Sequence, residues 1–292
     1  MKKRKKDFFA LQKRMKDFEY QGNFTAPGVE KEDFFKGEKI YKVDKDFKYI
    51  DNSIKYKFVS WCIFRLKNFA SLFVAFYYGL RIKGKENLKG LKSKGAITIS
   101  NHFMYLDNML IDRIFFCKSR VYFIVAAKNN IKGPLGYLMR RGGIIPIGST
   151  LRAKINFMRA IKTRVQQNYK VHVYAEEEMW LHYRKPRPLN EGAFQLAMDN
   201  NVPVIPIFFA YRENGKFREY MHLKNKITAY ILPPVYADMN LSSHEAIHKM
   251  RHDVEKMQRE YYEKHYNLVG TRLYEISDEG KEKLKGHEAL LD

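Results

Sequence analysis

The chain has 292 residues, of which 45% are hydrophobic, so it can form one large α/β domain with an appendage and does not have the composition of a disordered protein. Its formal net charge is +22, from 54 basic and 32 acidic residues, which implies attraction to a polyanion, either nucleic acid or an anionic membrane surface. The two cysteines, Cys62 and Cys117, are too few for a disulfide framework or a zinc site and agree with a reducing compartment.

Residues 1–50 form a basic N-terminal segment. It opens with the run Met1 to Lys6 and carries three phenylalanines among further charges, Phe8, Phe9 and Phe18. This mixture suits the surface of an anionic leaflet, where each Lys or Arg is worth about 1 kcal/mol. A disordered basic arm or a nuclear-type basic run is the alternative. Because no apolar core follows the lysines, no cleavable secretion signal is expected, and the protein is predicted to lie at the cytoplasmic face of a membrane, as a peripheral or monotopic protein.

Residues 51–82 contain the most apolar stretch of the chain, from Phe58 to Leu80. It is long enough to span a bilayer, since about 20 residues suffice. Three polar residues argue against a simple span, because a central charge costs at least about 2.5 kcal/mol on insertion: Arg65, Lys67 and Asn68. We expect a helix that lies in, or dips into, the membrane interface. A buried helix packed on the next domain is the alternative.

Apolar runs alternate with helical stretches along residues 83–265, which we predict to be the main domain. Strands are predicted at 96–100, 121–126, 143–147, 170–175, 202–209 and 226–232, and helices at 108–116, 132–140, 151–167 and 192–200. A last helix begins at the capping box Ser242-x-x-Glu245 and carries an apolar stripe typical of packing. The alternation predicts an α/β fold with a mainly parallel, mixed sheet flanked by helices. The charged tail, residues 266–292, is expected to be peripheral.

A histidine stands five residues before an aspartate in the segment that follows the strand 96–100. Histidine is the usual general base near neutral pH, and an adjacent carboxylate can fix its tautomer. Five positions on one helix would leave His102 and Asp107 roughly 140° apart, so they cannot share a helical face. If a loop separates the strand from a helix that starts near Asn108, the two side chains can converge across it. The alternative is that Asp107 caps the helix and His102 is an ordinary loop residue.

Four blocks of sequence carry a resemblance to a known family. They are Asn101-His102-x4-Asp107, the glycine and apolar run Gly142 to Ser149, the turn Tyr174 to Trp180, and the proline-containing strand Val202 to Ile207. In this order the chain resembles the lysophospholipid and glycerol-phosphate acyltransferases, from about Arg81 to about Pro234. The resemblance implies the α/β fold of the glycerol-phosphate acyltransferases with N-terminal membrane-associated helices.

Two positions depart from the family pattern. Ser149 stands where the family usually has the Arg that binds the acceptor's phosphate, and Glu177 stands where the third block has Gly. Nearby cations could replace the missing Arg, because guanidinium groups suit phosphate: Arg152, Arg184, Lys185 and Arg187. Each of them, taken alone, is better explained as a solvated surface charge, and the signal is their position beside the proposed site.

The three carboxylates Glu176 to Glu178 are unusual in so basic a chain. Adjacent carboxylates repel and raise at least one pKa unless cations are near, and Arg184, Lys185 and Arg187 could be those cations. The resemblance implies that Glu176 hydrogen-bonds the acceptor or orders the loop. A solvated acidic turn is the alternative. No metal site is predicted, because no second carboxylate or histidine cluster of ligand spacing accompanies the turn.

The resemblance implies transfer of a fatty acyl group from an acyl thioester, either acyl-CoA or acyl carrier protein, to a lysophospholipid, with 1-acylglycerol-3-phosphate as the leading acceptor. His102 would be the general base and Asp107 would orient it, with no cofactor. No acyl-enzyme is expected, since neither a Gly-x-Ser-x-Gly elbow nor a Cys beside a histidine motif occurs. Further substrate contacts are predicted at Asn101, Gly143, Ser149, Arg152, Glu176, Arg184, Lys185, Pro203 and Pro206, with the prolines shaping the acyl channel or only the strand end.

Expected partners are an anionic membrane surface, the lysophospholipid and the acyl donor, with no nucleic acid. Three other functions stay open. They are transfer to a different lipid acceptor, lipid binding without turnover, and nucleic-acid binding without catalysis, although no nucleic-acid module occurs in the sequence.

Overall fold

The computed structural model of the protein describes residues 2–28, 39–116, 119–215 and 225–291, and for residues 2–8 the backbone only. Cys117 and residues 29–38 of the predicted N-terminal segment lie outside the described residues.

A seven-stranded sheet forms the centre of the molecule, in the order β1-β7-β6-β2-β5-β3-β4. Its strands are β1 (Arg81–Lys83), β2 (Ala96–Ser100), β3 (Val121–Val125), β4 (Ile144–Pro146), β5 (Lys170–Val173), β6 (Val204–Arg212) and β7 (Lys226–Ile231). Every pairing is parallel except that of β6 with β7. The predicted mainly parallel, mixed α/β sheet is therefore confirmed. Strand β1 was not predicted, because three residues after an apolar helix give too little alternation to be recognised.

The helices lie on both faces of this sheet. They are α1 (Lys2–Tyr20), α2 (Ile54–Tyr77), α3 (Asp107–Ile114), α4 (Gly133–Arg141), α5 (Leu151–Gln166), α6 (Gly192–Asp199), α7 (Ser243–Tyr266) and α8 (Asp278–Lys283). Ser242 caps α7 in the predicted capping box with Glu245. Helices α5, α6 and α7 pack against Ile97 and Ile99 on one face of β2, while α3 packs on the opposite face of the sheet.

The N-terminal segment and the C-terminal tail dock together on the domain. Met15 of α1 is buried with Trp180, and in the same cluster lie Tyr274 and Leu290 of the tail. The expectation of a peripheral tail is therefore wrong: its scattered apolar residues face the domain while its many charges face solvent. The alternative of a disordered basic arm is likewise excluded for residues 9–28, whose side chains are described.

Helix α2 packs through one narrow face. Its buried residues recur at helical spacing, Ser60, Phe64, Ser71 and Ala75, and it contacts α3 and α4. Large apolar side chains cover the rest of its surface and are exposed, among them Phe58, Leu66, Phe69, Phe73 and Phe76. Among the described residues, α2 is the one helix whose length and mean hydropathy of 1.3 would allow it to cross a membrane. The alternative of a fully buried helix is wrong.

Candidate active site

The candidate residues lie at the carboxyl ends of neighbouring parallel strands. The loop after β2 carries His102 and leads into α3, while the turn after β5, the next strand in the sheet, carries Glu176. This edge is where open α/β sheets place ligands. Asn101 fixes the start of the loop, because its side chain accepts from the amide of Phe209 in β6 at 2.8 Å and donates to the carbonyl of the same residue at 3.0 Å. Asn101, predicted to contact substrate, thus has both ends of its amide bound to β6.

His102 and Asp107 meet across the loop, as the loop geometry predicts. Nδ1 of His102 lies 2.7 Å from Oδ2 of Asp107, and the same oxygen accepts from the amides of Phe103 and Met104. The Asp107 side chain is 2% exposed and that of His102 is 22% exposed. Leu106, not Asp107, occupies the N-cap position of α3, so the helix-cap alternative is wrong. The arrangement is a buried carboxylate orienting a solvent-accessible imidazole.

Tyr174, the residue after β5, contacts both members of this pair. Its hydroxyl donates to Oδ1 of Asp107 at 2.6 Å, and its ring stacks on the His102 ring at 3.9 Å and 18°. Burial, with Asp107 next in importance, raises the pKa of Tyr174 well above its usual value, so the phenol stays protonated and donates. Beyond Tyr174 lies the buried His172, whose pKa burial lowers to about 3 and which is therefore neutral. Neither the contact of Tyr174 with Asp107 nor the buried, neutral His172 was predicted. The available signal for Tyr174 was a Tyr in the first position of the Phe-Pro-Glu-Gly type block.

Glu176 forms a buried ion pair beneath the loop. Its carboxylate accepts from the backbone amide of His102 at 3.1 Å and from Nη2 and Nε of Arg187 at 2.7 and 3.1 Å. Arg187 is fully buried and also donates to the carbonyls of Phe24 and Glu178. The solvated-turn alternative is wrong for Glu176. Of the two roles that the resemblance implies, the contacts match the ordering of the loop.

The two departures from the family pattern have different structural consequences. Glu177 adopts the left-handed conformation, with φ +64°, which is the conformation that favours glycine. The turn therefore keeps the geometry of a glycine-containing block. Ser149 donates its hydroxyl to the carbonyl of Val43 at 2.7 Å. Ser149 follows β4, which is three strands from β2 in the sheet. About 14 Å across the sheet therefore separates Ser149 from the loop after β2.

The remaining predicted residues are scattered around the site. Gly143, with φ +104°, packs against Phe64, since a Cβ there would lie 2.8 Å from the ring. Arg152 is exposed at the start of α5, and Lys185 pairs with the largely buried Glu19 at 2.6 Å. Arg184 is exposed beside the ring of Tyr211, 6.0 Å from its centre. Lys128, which was not predicted, follows β3 and pairs with Glu178 at 2.8 Å.

The prolines belong to the centre of the sheet. Pro206 lies within β6, opposite Ile99, and its carbonyl accepts from the amide of Leu232 just after β7. The N–H that Pro206 lacks would point to Leu232, where the antiparallel pairing with β7 ends, so the ladder lacks a bond at its end and not at its centre. Pro203 precedes β6 and is also buried. Both positions match the strand-end alternative more closely than a channel lining.

Comparison with known proteins relates the segment that carries the site to a known family. Residues 79–210 match the family model described as Acyltransferase. An uncharacterized acyltransferase of Schizosaccharomyces pombe is 29% identical over 224 residues, which are 71% of this chain and 73% of that protein. The human 1-acyl-sn-glycerol-3-phosphate acyltransferase beta is 26% identical over 157 residues, 52% of this chain and 52% of the human protein, so the chain spans about half of that relative.

The fold has a solved counterpart. The crystal structure of the 1-acyl-sn-glycerophosphate acyltransferase PlsC from Thermotoga maritima matches with a TM-score of 0.50 at 18% identity, covering 75% of this chain and 85% of that one. A histidine–aspartate pair at the carboxyl edge of a mostly parallel sheet, inside the segment that matches the Acyltransferase model, marks the protein as an acyltransferase. Residues 79–210 thus form an acyltransferase domain of the PlsC-like type.

Proposed function

We propose that this acyltransferase moves a fatty acyl group from an acyl thioester, acyl-CoA or acyl carrier protein, to the hydroxyl of a lysophospholipid. The observation that carries the proposal is the 2.7 Å contact between His102 Nδ1 and Asp107 Oδ2 at the sheet edge. The best-supported acceptor is 1-acylglycerol-3-phosphate, because the human relative and the Thermotoga PlsC are both named for that reaction. The residues require no cofactor for this chemistry.

The proposed mechanism needs one general base. Because Nδ1 of His102 is bound to Asp107, Nε2 is the nitrogen that takes the acceptor's hydroxyl proton. The acceptor oxygen then bonds to the thioester carbonyl carbon, and the carbon–sulfur bond breaks as the tetrahedral intermediate collapses. The imidazolium, stabilised by the buried carboxylate, gives its proton to the departing thiolate. The products are the diacyl lipid and the free thiol, with no acyl-enzyme.

Two cations at the sheet edge support a phosphate-bearing acceptor. Lys185 and Arg187 are bound to buried carboxylates. Lys128 is 37% exposed and pairs with the partly exposed Glu178, and Arg184 is exposed. Lys128 and Arg184 are the proposed phosphate contacts, in place of the Arg that the family usually has at the position of Ser149. Replacing either by Ala should raise KM for 1-acylglycerol-3-phosphate about tenfold without raising KM for the thioester. Lys162→Ala, an exposed lysine of α5, is the control.

The apolar surface of α2 supports the proposed membrane contact. Its large side chains face outward in a chain of net charge +22, which combines apolar insertion with attraction to anionic headgroups. Lys67 does not oppose this arrangement, because it turns inward to Asp112 at 3.1 Å. Phe73→Asp should abolish co-flotation with anionic vesicles. Tyr236→Asp is the matched control, since Tyr236 is also 58% exposed but lies outside α2.

The decisive experiment is an assay of the purified protein on vesicles with a panel of lysolipids and acyl donors, read by mass spectrometry. His102→Ala should abolish transfer while leaving the fold intact, and His244→Ala, an exposed histidine of α7, should not change it. Transfer retained by His102→Ala would reject the mechanism. A product without phosphate would assign a different lipid acceptor.

A further inference from the structure

We propose that Tyr174 is a positioning residue for the acyl transfer, which holds the Asp107 carboxylate and the His102 imidazole in one geometry and moderates the basicity of that imidazole. The inference rests on the proposed role of His102 as the base. It concerns a contact made by a residue that lies on β5's carboxyl end, outside the loop that carries the pair itself.

The hydrogen bonds of Asp107 divide between its two oxygens. Oδ2 faces the loop, where it accepts from His102 and from two backbone amides, while Oδ1 accepts from the Tyr174 hydroxyl at 2.6 Å. A carboxylate held at only one oxygen can rotate about its Cβ–Cγ bond and carry Oδ2 away from the imidazole. The tyrosine hydroxyl blocks that rotation, because it holds the second oxygen in place.

The tyrosine ring is itself fixed between two histidines. The His102 ring stacks on one side at 3.9 Å, and His172 meets Tyr174 edge-on at 4.6 Å and 79°. His172 is immobilised in turn, since its two ring nitrogens lie 2.9 and 3.3 Å from the hydroxyls of Thr98 and Ser100 on β2. The sheet therefore determines the plane of the Tyr174 ring, and that ring determines the plane of the imidazole.

The Tyr174 hydroxyl also affects the negative charge on the Asp107 oxygen that faces His102. A donor on Oδ1 draws negative charge away from Oδ2. An imidazolium beside Oδ2 is therefore stabilised less than it would be if Oδ1 accepted no hydrogen bond. Removing the hydroxyl should therefore make His102 hold its proton to higher pH. Among the described residues, His172, Glu176 and Tyr211 are charged or titratable groups that face the pair, and Asp112 faces Tyr174. Lys67 and Arg187 lie one contact further away, on Asp112 and Glu176. None of them changes in a Tyr174→Phe variant, so the shift can be assigned to the hydroxyl.

The kinetic test compares Tyr174→Phe with the wild type on anionic vesicles. We expect kcat on the pH plateau to fall roughly tenfold, KM for both substrates to stay within about twofold, and the acidic limb of the pH–rate profile to move up by roughly half a unit. Tyr230→Phe is the control, because it removes a tyrosine hydroxyl that contacts His265 instead. A loss of activity with an unmoved acidic limb would indicate a merely structural role and overturn the proposal.

A second measurement separates this inference from the proposed function. The titration of the His102 imidazole, followed by NMR in histidine-labelled protein and assigned by its absence in His102→Gln, needs no turnover. Its midpoint should rise in Tyr174→Phe. If the Phe variant does not fold, 3-fluorotyrosine at position 174 is used instead, and this stronger donor should lower the midpoint. An unmoved midpoint in the folded variant overturns the role of Tyr174 even in an active enzyme. A shifted midpoint in an enzyme that transfers no acyl group rejects the proposed function alone.

Discussion

Two buried ion pairs adjoin the candidate site, and they differ in how their polar atoms are satisfied. Glu176 and Arg187 lie under the loop, where both carboxylate oxygens and the guanidinium have hydrogen-bond partners in the backbone or in each other. Lys67 and Asp112 join α2 to α3, and there Oδ2 of Asp112 is buried without a hydrogen-bond partner. A buried pair offsets its desolvation only when the remaining polar atoms are bonded. The first pair is thus suited to fixing geometry, and the second is electrostatically poorly compensated.

Breaking the first pair should have the largest effect. Arg187→Met leaves Glu176 buried without its cation, and the expected loss in free energy of unfolding is about 3–5 kcal/mol. Acyl transfer, compared at equal folded fraction, should fall at least about tenfold because the His102 amide loses a fixed acceptor. Chemical denaturation measures the first effect. Lys249→Met, which breaks an exposed pair with Asp238, should leave stability unchanged, and equal effects of the two variants would refute the comparison.

The second pair should show its weakness as a dependence of stability on pH. Burial raises the pKa of Asp112 from 3.8 to about 6. Between these values the folded protein keeps a proton that the unfolded chain has lost, so stability falls as pH rises through this window and the loss is complete above pH 6.

Asp112→Asn is the reference for that window, because Asn cannot titrate. The stability of the wild type minus that of the variant should decrease on the order of 2–3 kcal/mol from pH 4 to pH 6 and stay level above it. Denaturation curves at four pH values between 4 and 7 measure the difference. A difference that is constant with pH would mean that Asp112 is well compensated after all.

Replacing both members of an ion pair by apolar residues should also distinguish the two pairs, through a smaller change in the free energy of unfolding. Lys67→Met with Asp112→Leu should leave the free energy of unfolding within about 1 kcal/mol of the wild type, because removal of the poorly compensated Asp112 offsets the loss of the Lys67 hydrogen bond to the Gly142 carbonyl. The corresponding Glu176→Leu with Arg187→Met should stay strongly destabilised, because the His102 amide and the Phe24 carbonyl then lose their partners. Thermal denaturation of both double variants measures this contrast. Equal tolerance of both replacements would contradict it.

Much of the fold could be predicted from local patterns. The apolar stripe predicted α7, and the alternation of apolar runs with helical stretches predicted α5, β2 and β5, because neighbouring residues show whether one helical face or a whole strand is buried. The docking of α1 and of the tail was not predictable in this way. Their apolar residues are sparse and meet partners more than a hundred residues away, as Met15 meets Trp180.

The same distinction between local and distant contacts applies to the candidate site. His102 lies in the loop after β2 and Asp107 begins α3 only five residues later, so their approach follows from local chain geometry. Tyr174 and Arg187 reach the same loop from β5 and from the segment after it, and their partners depend on strand order in the sheet. Arg187 was recognised as a nearby cation, but its pairing with Glu176 rather than with phosphate became visible only with the tertiary structure.

The smallest expected effect concerns the turn beside the first pair. Glu177 has φ +64°, a conformation that costs a non-glycine residue strain, and its side chain accepts from Asn190 at 2.6 Å. Glu177→Gly should raise the free energy of unfolding by about 0.5–1 kcal/mol, because relief of strain exceeds the loss of one exposed hydrogen bond. Glu177→Ala is the matched control, since it loses the same hydrogen bond but keeps the strain. If the pair, and not the residue at 177, holds the loop, both variants should transfer acyl groups like the wild type. A Gly variant no more stable than the Ala variant would show that Glu177 occupies the family's glycine position at no cost to the backbone.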